Sequence, residues 1–80
     1  TEMIKTAGAN VAPREVENFL MSYDEVREAL VLGLPDPVKG EIVVAVLVAA
    51  TGQEIDPAAI RARLRLDISP YKVPQEILVM

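Results

Sequence analysis

Seven consecutive residues, Ile42-Val43-Val44-Ala45-Val46-Leu47-Val48, are apolar and mostly β-branched. Such side chains are stiff in a helix and pack well on a pleated surface, so the run predicts a strand. With no polar residue at alternate positions, that strand is expected at the centre of a sheet, covered on both faces. It is far short of the ~20 residues that span a bilayer. A second β-compatible run, Ala29-Leu30-Val31-Leu32, lies within Val26 to Leu34 and is ended by Gly33 and by Pro35-Asp36-Pro37, whose prolines stop a regular ladder. The six residues from Pro35 to Gly40 suit a hairpin loop, so the two strands are expected to pair antiparallel.

The remaining segments supply helices and short arms around this pair. Ile4-Lys5-Thr6 and Ala9-Asn10-Val11 flank Gly8, a residue that tolerates positive φ, and read as a small hairpin. Pro13 fits a first helical position, and Val16, Phe19, Leu20 and Tyr23 follow at helical spacing, predicting a helix over about Pro13 to Met21. Thr51-Gly52-Gln53 is a turn. Asp56 then caps a second helix with Pro57 in its first position and Ile60 and Leu64 on the buried side. After Ser69-Pro70 and an extended Tyr71-Lys72-Val73-Pro74 link, Ile77 to Met80 reads as a last strand. The order predicts a single α+β domain over residues 1–80: a small, mostly antiparallel sheet packed with two helices and preceded by a short hairpin.

Composition closes off several chemistries. The 80 residues contain no Cys and no His, which removes disulfides, thiolate nucleophiles, Cys-based zinc sites and imidazole bases. Eight Lys and Arg against twelve Asp and Glu give a net charge of −4, the wrong sign for nucleic acid as main partner. No secretion-signal pattern appears, and the expectation is a soluble cytoplasmic protein. Glu15 and Glu17 sit early in the first helix, where carboxylates favour its positive end; an exposed first turn lacks the burial that acid–base work needs. Arg61, Arg63 and Arg65 do not share one helix face, because Arg63 lies about 200° round from Arg61, so they read as a solvated surface.

Residue types alone go no further, but one string does. MIKTAGANVAPREVE, from Met3 to Glu17, resembles the start of the C-terminal domain of the acyl-adenylate-forming enzymes, the superfamily of AMP-forming acyl-CoA synthetases, luciferases and peptide-synthetase adenylation domains. GLPDPVKGE from Gly33 to Glu41 and SPYKVP from Ser69 to Pro74 agree in order and spacing. The resemblance implies a lid on a larger N-terminal domain that holds the acyl and ATP pockets. It takes one orientation for adenylation, with ATP and Mg, then rotates to present another face for thioester formation with CoA. The logic is that one rigid site cannot complement both a pyrophosphate leaving group and an incoming thiol.

The resemblance also distributes roles. The family's hinge position falls at Thr1, and its catalytic lysine motif lies beyond the strand ending at Met80, so these residues alone are expected to be inactive and to bind neither ATP nor CoA tightly. Gly8 is placed on the tunnel that admits the pantetheine arm, and it also suits a plain turn glycine. Lys5 would face the active site in the thioester-forming orientation, where an ammonium assists charge at the acyl carbonyl or the nucleotide; it also suits a solvated strand lysine. Lys39, Tyr71 and Lys72 correspond to positions near the adenine and phosphates of CoA, where an aromatic stacks and ammonium groups pair; a Tyr between two prolines is also commonly packed in a loop. The expected function is the mobile C-terminal domain of a carboxylic acid–CoA ligase of the fatty or aromatic acyl class. The alternatives are the lid of an adenylation domain that loads a carrier protein, and a non-catalytic binding module of the same fold.

Overall fold

The computed structural model describes residues 2–80; Thr1, the expected hinge, lies outside them. Strands β1 (Ile4–Thr6) and β2 (Ala9–Val11) form the hairpin, followed by α1 (Pro13–Met21), β3 (Val26–Asp36), β4 (Gly40–Ala49), α2 (Pro57–Asp67), a single 3-10 turn over Pro70–Lys72, and β5 (Glu76–Val79). The apolar run is indeed the spine. β4 has β3 along one side, while on the other it meets β1 at its start, through Thr6 opposite Gly40, and β5 further on. Among the described residues only the β4–β5 pairing is parallel. The architecture is the expected α+β arrangement, five strands with two helices.

The prolines do not stop β3 where expected. Pro35 pairs with Glu41 and Asp36 with Gly40, so the turn shrinks to Pro37-Val38-Lys39. The reason is position in the sheet. β3 is an edge, and the Val31 N–H points away from β4 to the Glu17 carboxylate on α1 at 2.9 Å. Pro35 lies four residues on with the same orientation, so its missing donor costs no ladder bond. Asp36 Oδ2 accepts the Val38 and Lys39 N–H groups at 3.1 and 2.8 Å, and Gly40, at φ +88°, closes the turn.

Both helices cover one face of the sheet. Val16 and Leu20 from α1 and Ile60 and Leu64 from α2 pack with Val31, Val43, Ala45, Leu47 and Ile77. Asp56 caps α2, accepting the Ala58 N–H at 3.0 Å. Two expectations need correction. Val44 and Val46 alternate with these core residues and point to the opposite face, which neither helix covers; Val44 is buried there all the same, 3% exposed, while Val46 is only partly buried, so the run is central but helices lie on one side of it alone. Phe19 is half-buried beside the core rather than enclosed in it, because it sits about 60° to one side of Val16 on the helix while Leu20 sits nearer the centre of the apolar stripe.

Tyr23, just past α1, joins the two helices. Its hydroxyl donates to Asp67 Oδ2 at 2.6 Å, and Arg63 lies 3.9 Å above its ring while pairing with Glu25 at 2.8 Å. Burial first, then the hydrogen bond and charge of Asp67, push the Tyr23 pKa up to about 12 from 10.0. The folded state therefore holds this proton more tightly than the unfolded chain does. Its contribution is whole below the unfolded pKa of 10.0 and is lost as pH rises towards about 12. Tyr23→Phe is expected to destabilise the chain by about 1 kcal/mol below that range and to remove this part of the alkaline decline. Denaturant midpoints measured across the alkaline range check it; parallel declines for wild type and variant would contradict it.

Candidate functional site

The hairpin tip is built from two left-handed residues, Ala7 at φ 50° and Gly8 at φ 83°. A two-residue connection of this kind matches the twist of the flanking strands, which is why a glycine belongs there. An alanine in that region costs about 1 kcal/mol, and the tip is held regardless by the Ala7 N–H donating to the Lys39 carbonyl at 2.8 Å. The Lys5 N–H donates to Glu41 Oε1 at 2.8 Å, giving the hairpin a second tie to the start of β4. The β3–β4 turn, and Lys39 with it, is thus fixed beside Ala7 and Gly8.

Against this corner lies a cleft of about 470 Å³ lined by Thr6, Ala7, Lys39, Arg61, Arg65 and the segment Pro70 to Gln75 apart from Lys72. Its wall is held from below by Arg61, whose guanidinium donates to the Pro74 and Gln75 carbonyls at 3.3 and 3.1 Å. The Gln75 side chain in turn accepts the Val43 N–H at 2.9 Å and continues the sheet. Tyr71 stands half out of the wall, 49% exposed. Among the described residues no carboxylate lines the cleft, and Lys39 and Arg65 make no ion pair. It is therefore a positively charged groove with an aromatic edge, suited to an anionic ligand that carries a flat ring.

The expected site residues are distributed unevenly around it. Lys39 and Tyr71 are brought together, with Gly8 one residue from the lining. Lys72 is turned away, both oxygens of the Glu15 carboxylate accepting from its ammonium at 3.1 and 3.0 Å; that bond raises its pKa. The Lys5 side chain is exposed outside the cleft. Arg61 and Arg65 correct the sequence reading: Arg63 does lie apart, on Tyr23 and Glu25, but the other two share a face and both line the cleft. Their i, i+4 spacing was the signal. Among the described residues no three metal-ligating side chains converge, and no helix is long and apolar enough to cross a membrane.

Comparison with known proteins agrees with this geometry. Residues 15–80 match the model of the AMP-binding enzyme C-terminal domain. A feruloyl-CoA synthase of Amycolatopsis sp. is 43% identical over 76 residues, covering 95% of this chain and 16% of that protein. The solved structure of the amide bond synthetase McbA from Marinactinospora thermotolerans superimposes with a TM-score of 0.93 at 36% identity, covering all of this chain and 16% of that one. A Mycobacterium tuberculosis fatty acyl CoA synthetase gives 0.90 at 33% identity, covering 99% of this chain and 16% of its own. The chain thus corresponds to about one sixth of these relatives, and it belongs to the family of C-terminal domains of AMP-binding enzymes, as the three motifs implied.

Proposed function

We propose that this chain is the mobile C-terminal domain of a larger AMP-forming carboxylic acid–CoA ligase. It reorients between acyl-adenylate formation and thioester formation and supplies the docking surface for CoA in the second step. The observation that carries the reading is the carboxylate-free cleft beside the Ala7–Gly8 tip, with Lys39, Arg65 and Tyr71 on its walls. In this reading Tyr71 stacks on the adenine, Lys39 and Arg65 pair with the phosphates, and the pantetheine arm passes Gly8 towards the acyl-adenylate. The thiol then attacks the acyl carbonyl and AMP leaves, with the Lys5 ammonium turned towards the developing charge. Lys72 serves the same surface from behind, its bond to Glu15 anchoring the loop that carries Tyr71. ATP, Mg and the acyl group are handled by the N-terminal domain and by a catalytic lysine outside these residues.

The nucleotide cleft favours free CoA over a carrier protein, because a carrier's pantetheine arm brings no adenine and no 3′-phosphate. In the full-length enzyme, Lys39→Glu with Arg65→Glu is expected to raise the KM for CoA by at least about tenfold, as loss of a charged hydrogen bond costs about 1.5–3 kcal/mol. Acid-dependent pyrophosphate exchange should stay within about twofold. An unchanged KM for CoA, or an equal fall in both half-reactions, would overturn the assignment. Efficient loading of a holo carrier protein with no turnover of CoA would select the carrier-protein reading, and no turnover of either would select the binding module.

A further inference from the structure

Gly33 is a strand residue outside the left-handed region, yet it has no room for a side chain. A Cβ there would lie 2.9 Å from Glu41 Oε2 and 2.9 Å from Ile4 Cγ2, closer than real contacts allow. Gly33 pairs with Val43, so Glu41 is its diagonal neighbour on the same face of the sheet, and the Glu41 carboxylate folds back over it. The other oxygen, Oε1, accepts the Lys5 N–H at 2.8 Å. Ile4 and Lys5 are consecutive in β1, so one bare spot on β3 serves two adjacent residues of the hairpin. The rest of the attachment is thin. Among the described residues β1 pairs with β4 only through Thr6 and Gly40, extended by the Ala7 N–H on the Lys39 carbonyl. The Glu41 carboxylate thus takes the place of a further ladder bond, satisfying a strand N–H that β4 itself does not meet.

We propose that Gly33 and Glu41 are positioning residues for thioester formation: the glycine makes room for a carboxylate that holds β1, and with it Lys5 and Gly8, in place against the start of β4. The proposal rests on the reading of the hairpin tip as the pantetheine path. Neither residue lines the cleft, so both act through the hairpin. What the Lys5 N–H requires is an acceptor oxygen, which an amide side chain also supplies, so Gln is the conservative replacement at Glu41. A methyl at Gly33 would push the carboxylate off its seat and act like loss of Glu41.

The test compares Glu41→Ala, Glu41→Gln and Gly33→Ala in the full-length enzyme, with Glu54→Ala, at an exposed carboxylate in the loop before α2, as control. Glu41→Ala is expected to lower the kcat of acyl-CoA formation about tenfold, with the KM for CoA within about threefold and pyrophosphate exchange within about twofold of wild type. Glu41→Gln should return to within about threefold, Gly33→Ala should fall as Glu41→Ala does, and Glu54→Ala should match wild type. Amide hydrogen exchange, read by mass spectrometry, should speed at least about tenfold in Glu41→Ala over β1 and β2 and stay unchanged over β4. Unchanged acyl-CoA formation in Glu41→Ala, equal losses in both half-reactions, no recovery in Glu41→Gln, or hairpin exchange like that of wild type would overturn the proposal. If Gly33→Ala fails to fold, the two Glu41 variants decide alone. The CoA assignment fails by a different result, an unchanged KM in Lys39→Glu with Arg65→Glu, so the two failures are distinguishable.

Discussion

Leu20→Ala is expected to unfold a substantial fraction of the chain. Leu20 is fully buried on α1, among Val16, Leu64 and the β4 side chains, so truncation opens a cavity that rigid strands on one side cannot fill. Substitutions of this kind cost about 2–5 kcal/mol, against a total of about 4–12 kcal/mol for a domain of this length. Phe19→Ala, despite the larger side chain, should cost less, because the ring is only half-buried. Urea denaturation followed by circular dichroism gives both values from one series. A loss below about 1 kcal/mol at Leu20, or a larger loss at Phe19 than at Leu20, would mean that the helix turns a different face to the sheet.

Spacing made the helical stripe legible, yet its centre was not. Val16, Phe19, Leu20 and Tyr23 all fit the period, but only the sheet beneath decides which of them lies directly over it. The β4 run posed the opposite problem. An unbroken apolar strand states that both faces avoid water without saying what covers each; the helices cover one, and on the other Val44 is buried without a helix over it. Pro35 misled because a proline forbids a ladder bond only where the N–H would point to a neighbour, and edge position is a property of the whole sheet. For the site, Lys39 and Tyr71 were found through their motifs, although they are far apart in sequence. Arg65 is hard to single out in the sequence because three alternate arginines wind round the helix, and only the sheet and the Tyr71 segment decide that the i, i+4 pair Arg61 and Arg65 faces the cleft. The role of Lys72 was hidden by distance, its partner Glu15 lying at the far end of the chain.

Substitution of Gly8 separates a turn glycine from a residue on the pantetheine path. A side chain there has open space around its Cβ, with nothing within 4 Å, so the domain itself accepts it. What remains is the left-handed backbone, at φ 83°, which costs an L-residue about 1–2 kcal/mol. Gly52, at φ 78° and equally open, sits at the other end of β4 and carries the same backbone cost away from the cleft, so Gly52→Leu is the matched control. If the hairpin tip lines the pantetheine path only in the thioester-forming orientation, a bulky residue obstructs that step alone. The measurement is the pair of half-reactions in full-length enzyme, acid-dependent pyrophosphate exchange and acyl-CoA formation. For Gly8→Leu, exchange is expected within about tenfold of wild type, about 1.4 kcal/mol of barrier, and acyl-CoA formation lower by about a hundredfold or more, with Gly52→Leu near wild type in both. Equal losses in the two half-reactions of a folded Gly8→Leu enzyme, or no loss in either, would contradict it.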